Sequence, residues 1–261
     1  MSVDTVELAD GQRIEVRVID PLERALPSIV FLHEGLGSVS LWRDFPDRIA
    51  TATGAGAIVY SRHGYGQSST LREKRAPDYM HREALNVLPE LLGIWEINKP
   101  ILFGHSDGAS IALIHAGAGH EVAALILEAP HVFVEEISLQ GAAHAALIYQ
   151  TTDLPAKLAR HHSDPDKTFW GWHDIWTNAN FREWNIEAYL PLISCPTLLI
   201  QGEDDEYGSI AQIDAIAGAV KSKAQKHMLR NCDHTPHREQ TDLTTKLVTA
   251  FIRENFSRHL A

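Results

Sequence analysis

Cysteine, basic charge and long apolar runs are what this sequence has least of. Only two cysteines, Cys195 and Cys232, stand among 261 residues. Their spacing matches no zinc-ligand or disulfide pattern, so neither a metal scaffold nor a stapled secreted domain is expected. Two thiols without a framework suit a reducing compartment. Lysine plus arginine number 23 against 34 aspartates and glutamates, a net charge of −11. Nucleic acid and anionic membrane both select basic patches, so no nucleic-acid and no membrane partner is expected. No apolar stretch reaches the roughly eighteen residues of a membrane span. The first residues, MSVDTVELADGQRIEVRVID, are charged and alternating, without the basic start and apolar centre of a secretory signal. A cytoplasmic protein is the expectation, with a homodimer the base-rate expectation for assembly.

What is present is an ordinary globular composition, 44% hydrophobic and 22% charged. The length allows one large domain with a real core, or two small ones. VDTVELADGQRIEVRVID alternates around Asp10-Gly11 and reads as a hairpin. Buried strands follow at residues 28–33, in GAIVY, in PILFGHS, in EVAALILEAP, in PTLLIQGEDD and in KHMLRNCDH. Helical periodicity covers 78–96, 107–118, 209–220 and 240–257. Continuous apolar strands alternating with helices predict an α/β fold, a mostly parallel sheet flanked by helices. Residues 131–190 break the rhythm and hold Trp170, Trp172, Trp176 and Trp184. They read as an inserted helical cap, 131–190, on a core of 1–130 and 191–261. The tryptophans are expected to fix the cap to the sheet, with some lining an apolar pocket.

One stretch carries chemistry. In ILFGHSDGASIALIHAG, residues 101–117, an apolar strand ends in Gly104-His105-Ser106-Asp107-Gly108 and a small-residue helix begins at once. A serine on such a sharp strand-to-helix turn is held in a strained backbone with its hydroxyl exposed. The helix N-terminus then points free N–H groups at that spot, which suits a developing oxyanion.

With these features the chain resembles the α/β-hydrolase family over nearly its whole length, and within it the serine hydrolase branch. FLHEGLGS resembles the family's His-Gly-x loop. YSRHGYGQSS resembles its Asp-x-x-Gly-x-Gly-x-Ser loop, with Ser61 where aspartate is usual. LLIQGEDDEYG resembles the strand end that carries the acid, and RNCDHTPHREQ the loop that carries the histidine. The resemblance implies Ser106 as nucleophile, His234 as base with His237 as runner-up, and Asp205 as acid with Asp204 and Glu128 as alternatives. It implies an oxyanion hole from the N–H groups of Asp107 and of Gly35, with Leu36 the alternative, because Glu34 stands where the family has glycine. Ser-Asp-Gly at the elbow also resembles members similar to valacyclovir hydrolase, in which the acidic residue binds an amino group. Asp107 thus reads either as a helix-dipole carboxylate or as a substrate contact.

The expected activity is cleavage of a small or medium carboxylic ester, thioester or activated amide through a Ser-His-Asp triad and an acyl-enzyme. Carbon–carbon hydrolysis of ring-fission products, acyl transfer, and a non-enzymatic small-molecule receptor remain open on the same fold. Expected substrate contacts are Glu34, Asp107, Trp172, Trp176 and Tyr207. No cofactor and no metal is expected: His161-His162 with Asp164, and His173 with Asp174, read as surface-loop histidines.

Overall fold

The computed structural model describes residues 4–22 and 25–256. Val3, at the start of the expected hairpin, and Ser257, at the end of the last expected helix, lie outside them. Strands β1 (Asp4–Glu7) and β2 (Arg13–Ile19) form the hairpin, with Gly11 at φ +75° in its turn. Then follow β3 (Ile29–Leu32), β4 (Ala57–Tyr60), β5 (Ile101–His105), β6 (Ala124–Glu128), β7 (Thr197–Gly202) and β8 (Ala224–Leu229). The order across the sheet is β1-β2-β4-β3-β5-β6-β7-β8. β2 runs antiparallel to both its neighbours, and every other pairing is parallel.

The helices are α1 (Phe45–Thr53), α2 (Tyr79–Arg82), α3 (Leu88–Ile94), α4 (Asp107–Gly117), α5 (Glu136–Thr151), α6 (Leu154–Leu158), α7 (Pro165–Trp176), α8 (Ile210–Ala219), α9 (Pro236–Glu239) and α10 (Thr241–Phe256). A π turn, Glu83–Val87, joins α2 to α3. The two-residue period of a strand sends alternate side chains to opposite faces. Val30, Leu32 and Leu102 accordingly join the core beneath α3 and α4. Ile29, Phe31 and Phe103 join the core beneath α1 and α10, where Phe31 and Phe103 stack 4.9 Å apart.

Two elements differ from the sequence pattern. The last strand ends at Leu229, opposite Gly202, rather than running to residue 234. Beyond it Asn231 takes φ +51° and the chain turns into a loop. Helix α1 is absent from the pattern above, although Pro46 in its first turn and a left-handed Gly54 after it are ordinary helix boundaries. The segment between β6 and β7 is helical, as α5, α6 and α7.

The topology fixes where a ligand can sit. From β3 the chain moves to β4 on one side, then returns across β3 to β5 on the other. The loops leaving the carboxyl ends of β3 and β5 therefore diverge and open a crevice, the usual ligand site of an open α/β sheet.

One contact ties the inter-strand helices to this crevice. His162, between α6 and α7, accepts the Gly66 N–H at Nδ1 (2.9 Å) and donates from Nε2 to the Leu36 carbonyl (3.0 Å). Only the neutral ring can do both. His162 is buried rather than on a surface loop, and burial pushes its pKa down to about 4. An unfolded histidine binds its proton near pH 6.5. Below that pH the unfolded chain takes up a proton that the folded chain refuses, so stability falls as pH drops from 6.5 toward 4. At pH 5 this single group costs about 2 kcal/mol. Urea midpoints at pH 7 and pH 5 should show a loss of stability that is smaller by about that amount in His162→Gln.

Candidate active site

Ser106 sits at φ +52°, ψ −117°, the left-handed region that side chains other than glycine seldom adopt. The neighbouring chain leaves no alternative. A Cβ on Gly104 would overlap Gly108 and Ala109, and one on Gly108 would overlap the Leu32 carbonyl. The strained turn is held by the Ser106 N–H on the Glu128 carbonyl (2.9 Å) and by the Ala109 and Ser110 N–H groups on the Ser106 carbonyl.

Ser106 Oγ donates to His234 Nε2 (2.9 Å), and His234 Nδ1 donates to Asp205 Oδ1 (2.8 Å). The loops after β7 and β8 meet because Gly202 has no side chain: a Cβ there would overlap the Cys232 and Asp233 carbonyls. Asp205 Oδ1 also accepts the N–H groups of Tyr207 (2.8 Å) and Gly208 (3.1 Å). Burial works against this carboxylate, but the charge and hydrogen bond of His234 and the Tyr207 N–H outweigh it and hold its pKa at about 2. Asp204 is exposed. His237 and Glu128 are not part of this relay. They pair with each other beneath it, at 2.7 Å, both buried.

Across the crevice the loop after β3 turns tightly, the Gly37 N–H reaching the Glu34 carbonyl at 3.1 Å. The central N–H groups of that turn, on Gly35 and Leu36, have no acceptor among the described residues. The N–H of Asp107, first in α4, is likewise one of the helix's free donors. Arg62 props the loop from below, donating to the carbonyls of His33 (3.1 Å) and Glu34 (2.9 Å).

The cavity at this point measures about 130 Å³. Glu34, Gly35, Trp172, Trp176 and Tyr207 line it beside Ser106 and His234. Trp172 packs against Gly35, where any Cβ would overlap its indole. Trp170 and Trp184 are elsewhere, Trp184 stacking on Phe181. Four further lining residues, His105, His131, Ser138 and Thr235, are absent from the expectations. Among the described residues no three His, Cys, Asp or Glu side chains group as a metal site. His161 faces Ser40 and His173 faces Asp174.

The alpha/beta hydrolase family model matches residues 29–246. The chain belongs to that family. The mouse protein named serine hydrolase BPHL is 25% identical over 202 residues, 75% of this chain and 69% of that one. A proline iminopeptidase of Levilactobacillus brevis is 24% identical over 230 residues, 72% of this chain and 76% of that one. The crystal structure of proline iminopeptidase from Mycobacterium smegmatis superposes with a TM-score of 0.76 at 16% identity, over 98% of this chain and 99% of that one. The enol-lactonase of Burkholderia xenovorans gives 0.73 at 21% identity, over 95% and 99%. No helix among the described residues is long and apolar enough to cross a membrane.

In this α/β hydrolase the two acidic residues at the mouth do not act as free carboxylates. Asp107 is fully buried, and its side chain does not reach the cavity. Its Oδ2 accepts the Tyr79 hydroxyl (2.8 Å) and lies 3.6 Å from the Arg62 guanidinium; its Oδ1 accepts the Trp176 indole N–H (3.2 Å). The expected contact from the Asp107 side chain to substrate is therefore corrected. The carboxylate is turned away from the cavity and neutralised by Arg62, and it joins α2 and α7 to the elbow. Glu34 does line the cavity, with Oε2 at 3.5 Å from His105 Nδ1. Burial opposes its charge, but His105 outweighs that and holds the carboxyl well below the usual range. Burial likewise opposes the charge on His105, and Glu34 raises its pKa in return. His105 Nε2 donates to the His234 carbonyl (2.8 Å), so this pair also braces the histidine loop.

Asp107→Ala should strand the buried Arg62 charge and leave the Tyr79 O–H and Trp176 N–H unmet. Removing one partner of such a group costs about 3 kcal/mol or more, and Asp107→Asn should cost less. Urea unfolding of both variants against wild type measures this.

Proposed function

We propose that this α/β hydrolase is a serine esterase acting on small, uncharged carboxylic esters. The observation that carries the reading is the unbroken relay Asp205–His234–Ser106 at the wall of a largely apolar cavity. Ser106 Oγ attacks the ester carbonyl carbon while His234 Nε2 takes its proton. Asp205 holds the ring in the Nδ1-protonated tautomer and stabilises its charge. The oxyanion meets the Asp107 N–H and an N–H of the Gly35–Leu36 turn. His234 returns the proton to the leaving alkoxide, which departs as the alcohol and leaves the acyl group on Ser106. A water then attacks with the same base, and the carboxylic acid leaves.

Size and charge set the substrate class. A cavity of about 150 Å³ holds a benzene-sized group, so 130 Å³ favours a short acyl or aryl portion. An ammonium group would find no free carboxylate here, since Asp107 is taken by Arg62 and Glu34 by His105. We therefore place an uncharged ester ahead of an amino-acid ester. Two structures of similar fold are named as an esterase and an enol-lactonase, in line with ester chemistry. We infer a cytoplasmic setting from the two unpaired thiols.

A fluorophosphonate should label wild type at one serine and leave Ser106→Ala unlabelled, by intact mass. Among p-nitrophenyl esters from acetyl to decanoyl, the short chains should be cleaved fastest. Asp205→Asn should lower kcat by about 10⁴-fold, since the base then takes the wrong tautomer. Absence of both labelling and turnover would overturn the esterase reading in favour of a receptor or of serine-independent chemistry. Labelling without ester turnover would favour carbon–carbon cleavage or acyl transfer.

A further inference from the structure

His131 lines the cavity, and the chemistry above leaves its ring unused. It follows β6 and is 2% exposed. Its ring lies 5.0 Å from that of Trp176 and 5.7 Å from that of His234, centroid to centroid. Its Nδ1 is enclosed beside Gly208 without a hydrogen-bond partner, and Nε2, which is not enclosed, makes no hydrogen bond among the described residues. A buried ring nitrogen is rarely left unmet, and such a case calls for an explanation.

Looseness does not explain it, because the backbone at this point is tightly fixed. The Ser110 hydroxyl donates to the His131 carbonyl (2.6 Å), the Val132 N–H donates to Gln212 Oε1 (2.8 Å), and the Ile186 N–H donates to the Val132 carbonyl (2.8 Å). Helices α4 and α8 and the segment before β7 thus hold the backbone of residues 131–132 from three directions. A rigidly presented side chain with unmet hydrogen-bonding capacity, at the wall of a site, is how a pocket fixes a ligand's orientation.

We propose that His131 is a substrate-binding residue that engages an uncharged oxygen, a hydroxyl or a carbonyl, carried a few bonds from the scissile ester. This rests on the esterase reading. Burial, with the neighbouring His234 adding to it, pushes the ring's pKa down to about 4. The ring is therefore neutral at working pH and offers one donor and one acceptor. Through Nε2 such a ring can donate to a carbonyl or a hydroxyl or accept from a hydroxyl, and it brings no charge to balance an ammonium or a carboxylate. The nearness of the ring to His234, whose Nε2 is 2.9 Å from Ser106 Oγ, places the oxygen close to the reacting carbon. The oxygen can belong to the acyl part or to the alcohol part, and the test separates the two.

The experiment compares matched esters in wild type, His131→Phe, His131→Leu and His131→Gln. One arm sets p-nitrophenyl 3-hydroxybutanoate against p-nitrophenyl butanoate. The other sets 2-hydroxyethyl butanoate against propyl butanoate, followed by acid release. The readout is the ratio of kcat/KM, hydroxylated over plain, which cancels a general loss of activity. In wild type the ratio should exceed one in one arm. It should fall by about tenfold in His131→Phe and His131→Leu, a hydrogen bond's worth of discrimination, and recover in part in His131→Gln. Fluorophosphonate labelling of each variant reports that the site is assembled. A ratio unchanged within twofold in both arms, in labelled variants that still cleave the plain esters, would overturn the inference and leave the esterase reading intact. Failure of wild type to be labelled or to cleave either plain ester would remove the esterase reading, and this inference with it.

Discussion

The site depends on one strained residue. Holding Ser106 at φ +52° costs on the order of 1–3 kcal/mol. It persists because α4 presses against the ends of β3 and β5 closely enough that only glycine fits at 104 and 108. Once that packing is set, several things follow without further adjustment. The hydroxyl projects from the sheet. The first N–H of α4 faces the crevice. The Asp107 side chain, one residue on, is driven inward beneath the elbow rather than outward. The strain, the free donor and the buried carboxylate are three consequences of the same tight turn.

That inward carboxylate decides how charge is distributed. A buried aspartate without partners would be costly, and here Arg62, Tyr79 and Trp176 converge on it from three separate segments. Arg62 simultaneously supports the His33 and Glu34 carbonyls. The loop that presents the Gly35 and Leu36 N–H groups is therefore held by the same cation that neutralises Asp107. On the other side Glu34 lies 3.5 Å from His105, whose Nε2 braces the His234 loop. Each acidic group is thus engaged by a side chain of the scaffold.

Local motifs made much of this legible in the sequence, and long-range packing hid the rest. The parallel sheet is readable because each buried strand is a continuous apolar run. The elbow is readable because two glycines and a serine at fixed spacing have a steric reason to be there. The segments that carry Ser106, Asp205 and His234 are readable from strand-end patterns, and the structure brings those three side chains within hydrogen-bonding distance. The destination of the Asp107 side chain is not readable, because its partners come from positions 62, 79 and 176 and no local pattern joins them. The same holds for the pairing of Glu128 with His237, two residues 109 positions apart that each looked like a stray catalytic candidate. Strand β8 stops at Leu229 because pairing with β7 ends at Gly202, a fact of register rather than of hydropathy. His162 looks like a loop histidine in sequence, and only the convergence of Gly66 and Leu36 on its ring shows why it is buried and neutral.

His131 is the limiting case of that blindness. Nothing in APHVFVEE marks the histidine as different from fourteen others in the chain. Its position becomes meaningful only by contrast with the rings around it. His105 has Glu34 and the His234 carbonyl, His234 has Asp205 and Ser106, and His237 has Glu128. Beside rings that each hydrogen-bond through at least one nitrogen, a fixed ring with no hydrogen bond is not explained by folding. Removing it would cost the fold no hydrogen bond, and its backbone is anchored by atoms that any residue possesses. The ring's nitrogens are thus free of structural duty, at a wall that Ser106 and His234 share. Selection of an uncharged oxygen by a neutral ring also fits the charge pattern described above. A cavity whose carboxylates are already matched has no use for an ionic handle on its substrate, and a neutral donor–acceptor pair is the remaining way to orient one.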